Sequence, residues 1–101
     1  MLTDEKVNDI QELMASIKKL LESMLPTYNV DYMSPHQTLI YYHSRMIGSV
    51  WIKSKESILE FKLYGKDTYE VASFELANPQ YDPEVATIQF VNRLKALKCE
   101  N

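Results

Sequence analysis

From Met46 to Tyr64 the chain alternates with a period of two on either side of the polar tetrapeptide Ser54-Lys55-Glu56-Ser57. Before it, Ile47, Ser49, Trp51 and Lys53 alternate with Met46, Gly48, Val50 and Ile52; after it, Leu59, Phe61 and Leu63 alternate with Ile58, Glu60, Lys62 and Tyr64. Successive side chains of a strand point to opposite faces, so Leu59, Phe61 and Leu63 form one apolar row and Glu60 and Lys62 sit in the other. The pattern predicts a hairpin with one face buried and the other half wet. A helix would spread the same β-branched and aromatic residues around its whole circumference.

The flanks change period. Val7, Ile10, Leu13, Met14, Ile17, Leu20, Leu21, Met24 and Leu25 recur at spacings of three and four, the signature of an amphipathic helix that Thr3 caps and Pro26 ends. The subset Ile10, Leu13, Ile17, Leu20 and Met24 also fits a coiled-coil seam, but Met14, Leu21 and Leu25 widen the stripe and favour packing on the chain's own sheet. Near the other end Asp82 is a good N-cap, Pro83 fits the first helical position and Glu84 the positive end of the dipole. Ile88, Phe90, Val91, Leu94 and Leu97 then share one side, with Arg93, Lys95 and Lys98 toward the C-terminus.

Between helix and hairpin, Tyr28, Val30 and Tyr32 suggest a short strand closed by Ser34-Pro35-His36, and residues 38–43 another, turned at Ser44-Arg45. After the hairpin, Gly65-Lys66-Asp67 is a turn, Thr68 to Leu76 a strand with Ala72, Phe74 and Leu76 on one face, and residues 78–81 a loop. Tight connections join antiparallel neighbours. The expected fold is α+β, a two-layer sandwich: an antiparallel meander of four or five strands with an N-terminal and a C-terminal helix on one face, in a single domain over residues 1–101.

Charge adds one distinction. The net charge is −3, which gives the whole molecule no general attraction for nucleic acid or anionic membrane. Residues 36–69 nevertheless carry five Lys or Arg against three acids, while both flanks are acidic. One cysteine, Cys99, permits no internal disulfide, and neither a signal-peptide pattern nor a membrane-length apolar run is visible. A cytoplasmic protein is expected.

Candidate chemistry is sparse. His36 and His43 lack a second ligand pair, so no metal is expected, and Cys99 lies too close to a fraying end to hold a nucleophile's geometry. Glu60, Glu70 and Glu75 fall singly and toward solvent; Gly48 and Gly65 exclude a glycine-rich phosphate loop, Gly48 instead marking a bulge or a close approach. No enzymatic activity and no cofactor is expected. The surplus is aromatic: of Tyr42, Trp51, Tyr64 and Tyr69, some should face away from the helices.

Ile47-Gly48-Ser49-Val50, the Glu60-centred strand ending Tyr64-Gly65-Lys66, and Val85-Ala86 in the last helix resemble the YkuJ-like family of small uncharacterised bacterial proteins, over roughly residues 38–97. This chain departs from that family by a longer N-terminal region with an extra strand at 28–33 and a longer loop at 77–81. The resemblance implies the same helix, meander and helix order, and no activity.

The function these features point to is a non-enzymatic protein-interaction module, a regulator, adaptor or inhibitor, working through an aromatic sheet face as a homodimer, with Tyr42, Trp51, Lys62 and Tyr64 as contact residues. The alternative is nucleic-acid binding on the basic hairpin around residues 45–66, with Arg45, Lys53, Lys55, Lys62 and Lys66 meeting phosphates.

Overall fold

The alternating rows at the centre of the chain become the middle of a five-stranded antiparallel sheet in the computed structural model, which describes residues 4–65, 69–78, 80 and 82–100, with side chains among these from 10 to 96. The strands are β1 (Asn29–Ser34), β2 (Gln37–Tyr42), β3 (Arg45–Lys53), β4 (Ile58–Tyr64) and β5 (Tyr69–Glu75), and they lie side by side in chain order. Helix α1 (Asp4–Met24) precedes them and α2 (Pro83–Glu100) follows. The fold is therefore the expected α+β meander with both helices on one face.

Register explains which residues make the core. Val50 pairs with Thr38 on one side and Phe61 on the other, and Phe61 with Ala72. That row and its neighbours Ile40–Gly48–Leu63 and Ile52–Leu59–Phe74 face the helices. Helix α1 lies over the β1–β2 side, where the Thr38 hydroxyl donates to the Met14 Sδ at 3.2 Å. Helix α2 lies over β3 to β5, with the Phe61 and Phe90 rings 4.9 Å apart. Along α1 the buried positions are Ile10, Met14, Ile17, Leu21 and Leu25, while Leu13 and Met24 are half-buried. That stripe belongs to a helix lying on a sheet and is wider than a coiled-coil seam.

Gly48 takes both roles its sequence context suggests. The register slips between Ile40 and Tyr41, which pair with Gly48 and Met46 and leave Ile47 as the extra residue of a bulge. A Cβ on Gly48 would lie 3.1 Å from the Phe90 ring, 3.2 Å from Leu94 Cδ1 and 3.2 Å from the Lys62 carbonyl oxygen. The missing side chain lets α2 settle onto β3.

Two local expectations shift. The β2–β3 turn is His43-Ser44, one residue earlier than expected, closed by the pair Tyr42 and Arg45. Both turn residues have positive φ, 51° and 66°. This is the two-residue hairpin geometry usually signalled by Asn-Gly, which His-Ser does not announce. In α2 the buried residues are Ala86, Thr87, Phe90, Val91 and Leu94, and Ile88 is only half-buried. The α2 cap follows expectation, the Glu84 N–H donating to Asp82 Oδ1 at 2.9 Å. Thr3, Thr68, Pro79 and Tyr81 and the side chains of Val7, Leu97, Lys98 and Cys99 lie outside the described residues.

Candidate functional site: the open face of the sheet

On the face away from the helices the rows are different. Trp51 pairs with Glu60, and Glu60 with Ser73; Ser49 pairs with Lys62, and Lys62 with Val71; Tyr64 pairs with Tyr69. Direct cross-strand neighbours and their diagonals are within side-chain reach. Lys53 is diagonal to Glu60 across the hairpin and Lys62 is two residues further along β4, so both ammonium groups converge on one carboxylate.

That carboxylate is buried. Glu60 is 7% exposed, with Lys53 Nζ 3.1 Å from Oε2 and Lys62 Nζ 3.4 Å from Oε1. Its Oε1 accepts no hydrogen bond of ordinary geometry, so the Lys62 contact is one of charge. Burial works to raise the Glu60 pKa, but the contacts with Lys53 and Lys62 outweigh it and hold the carboxyl below its ordinary 4.5. For Lys62 burial pulls downward, and the Glu60 charge prevails and lifts it above 10.5. The same two ammonium groups lie over the Trp51 indole, 5.3 Å and 5.8 Å from its centre. An indole flanked by cations and backed by a shared carboxylate is a rigid shelf.

Beside the shelf is an apolar strip. Trp51 is 39% exposed, Val71 46% and Tyr69 57%, and the Tyr64 and Tyr69 rings lie 5.4 Å apart, tilted by 38°. The Lys53 and Lys62 ammonium groups and the tyrosine rings border it. No other element among the described residues lies over this face.

Of the four contact residues expected, the structure brings Trp51, Lys62 and Tyr64 together and separates Tyr42. Tyr42 shares parity with Thr38 and Ile40 on the helix side, and its ring meets Tyr28 at 5.0 Å and His43 at 4.1 Å. The basic set is also split, since Arg45 begins the nine-residue β3, Lys55 lies in the turn beyond its other end, and Lys66 falls outside the described residues. The expectation that Glu60 and Glu70 face solvent singly is corrected: Glu60 is buried between two lysines, and Glu70 is held by Arg93 through Nη2 to Oε2 at 2.9 Å and Nε to both oxygens at 3.1 Å. Residue-by-residue alternation sees exposure within one strand but not a diagonal partner across a hairpin. Lys53, Glu60 and Val71 were the members missed. The four-residue turn that closes at Lys53 and Ile58 was the signal for them, because it puts Trp51 directly across from Glu60.

Among the described residues no three His, Cys, Asp or Glu side chains converge as metal ligands, and no helix is long and apolar enough to cross a membrane. No family model, curated protein or solved structure matches this chain.

Proposed function

We propose that this protein is a non-enzymatic interaction module that binds another protein through the open face of its sheet and works as a homodimer. The observation that carries the reading is the pairing of an uncovered aromatic strip, Trp51, Tyr64, Tyr69 and Val71, with the Lys53–Glu60–Lys62 ion cluster at its edge. Large rings with polar tips supply contact area at little entropic cost, and charges already paired with one another lose less on being covered than unpaired ones.

A nucleic-acid surface would draw on the same indole and lysines. Stacking platforms need cations free to meet phosphate. Here Lys53 and Lys62 are committed to Glu60, and the described open face adds the carboxylates of Asp31 and Glu75. The protein reading is therefore the better supported.

The test combines light scattering with affinity capture from the native host, comparing the natural chain with Trp51→Ala. The expected result is a dimer whose captured partner falls at least tenfold with the variant. A monomer whose captured set is identical with and without the indole overturns the reading.

A further inference from the structure

We propose that the chain self-associates through the free edge of β5, which pairs antiparallel with β5 of a second copy about a two-fold axis at Ala72 and joins two open faces into one continuous sheet. This deepens the interaction-module reading and rests on it for the use made of the joined face.

The backbone argues first. The Leu76 N–H donates to the Ser57 carbonyl at 2.8 Å, extending the β4–β5 ladder one residue beyond the pair Ile58 and Glu75. In an antiparallel ladder, pairs that exchange hydrogen bonds alternate with pairs that do not. Phe74, Ala72 and Glu70 therefore turn their N–H and C=O toward β4, and Tyr69, Val71, Ser73 and Glu75 turn theirs outward.

The two sheet edges are treated differently. At β1 the register breaks between Tyr32 and Ser34, Pro35 follows, Asp31 adds a charge, and the Lys18 ammonium lies over the Tyr32 ring at 5.9 Å. Bulges, prolines and charges are the usual defences of an edge. Strand β5 pairs with β4 over seven residues without a break and contains no Pro, Gly or Lys; of its two charges Glu70 is held by Arg93 and Glu75 stands at the strand's last position. It is a regular template.

Sequence then selects the occupant and the register. With the axis at Ala72, Val71 stands opposite the partner's Ser73 and Tyr69 opposite the partner's Glu75, and every outward group of the four residues finds a partner. Axes at Val71 or Ser73 leave a terminal residue of the strand unpaired. At Ala72 no like charges face each other directly, Tyr69 can donate its hydroxyl to the partner's Glu75, and the small Ala72 side chains meet at the closest point. On the helix side Glu70, already neutralised by Arg93, faces the partner's Phe74. A groove of about 160 Å³ runs along this edge beneath α2, lined in part by Phe61, Phe74 and Phe90, and the partner's Phe74 comes to its mouth. The joined open faces bring Val71 of both copies beside the axis and set the two Tyr64–Tyr69 pairs at opposite ends of the seam.

The test uses the full chain with Cys99→Ser, so that only an introduced thiol can link. Ala72→Cys should form a disulfide dimer under mild oxidation, because the two residues at a non-hydrogen-bonded pair have Cα atoms about 4.5 Å apart. Val71→Cys, offset from its own copy, should link at least tenfold more slowly. In light scattering, Ser73→Pro should be monomeric with unchanged circular dichroism, since it removes only an outward N–H, and Trp51→Ala should stay dimeric. A natural chain that is monomeric, or Ala72→Cys that links no faster than Val71→Cys, overturns the edge pairing whether or not Ser73→Pro folds. A dimer that survives Ser73→Pro but dissociates with Trp51→Ala overturns it while leaving the open-face reading standing. An Ala72-linked dimer whose captured partners ignore Trp51→Ala sinks that reading alone.

Discussion

Glu60 is the residue on which the open face turns, and its energetics can be read through pH. A carboxyl held below 4.5 in the folded chain binds fewer protons than in the unfolded one. Its stabilisation is present above that value and is lost as pH falls through the lower folded one. Lys62, lifted above 10.5, contributes below that value and loses the contribution as pH rises through its folded one. Glu60→Gln should therefore lower stability at neutral pH by about 1.5–3 kcal/mol, the range for hydrogen bonds to charged groups. It should also flatten both limbs of the stability profile, read as urea midpoints across pH. Ser57 offers the opposite sign. Its φ of 53° puts a non-glycine residue in the left-handed region just before β4. That conformation costs roughly 1–2 kcal/mol, against a glycine entropy cost of about 0.5–1. Ser57→Gly should stabilise the chain by about 0.5–1 kcal/mol on those two terms, seen as a higher thermal midpoint.

At the level of elements, the decisive contact is α2 on β3 at Gly48. Gly48→Val pushes branched carbons into Phe90, Leu94 and the Lys62 carbonyl, and a backbone oxygen cannot step aside. Overpacking of this kind costs about 1–3 kcal/mol or more, and the loss should appear in denaturation together with weakened amide protection in α2. Gly48→Ala should cost less, because its single carbon lies at 3.1–3.2 Å from these atoms.

The elements themselves were legible in the sequence because period two and period three-to-four leave different marks. The hairpin about Ser54–Ser57, the cap at Asp82 and Pro83, and the stop at Pro26 all stand where the pattern puts them. What escaped was geometry that depends on a partner strand. The His43-Ser44 turn carries none of the usual glycine signal. Tyr42 was misplaced among the open-face rings because its neighbours Tyr41 and Tyr42 look alike until the β2–β3 register sets which faces the helices. The Glu60 cluster was invisible to a reading of single strands, since its members come from β3 and β4 together.

For the molecule as a whole, two apolar-striped helices cover one side of a five-stranded meander and leave the other side to an indole, two adjoining tyrosines and the Lys53–Glu60–Lys62 ion cluster. Trp51→Ala should cost some folding stability, because the ring is 39% exposed and carries the Lys53 and Lys62 ammonium groups over its face, yet weaken partner binding by about 2 kcal/mol or more, as truncating a hot spot does. Equilibrium denaturation and affinity capture on the same preparation separate the two effects. The most direct measurement follows that ring itself, the chain's single tryptophan. With 5-fluorotryptophan incorporated, its ¹⁹F resonance is recorded before and after the chain is mixed with native-host extract and recovered in a larger complex. The account predicts that the resonance shifts and broadens and becomes shielded from solvent. An indole whose signal and solvent exposure are unchanged inside that complex would contradict it.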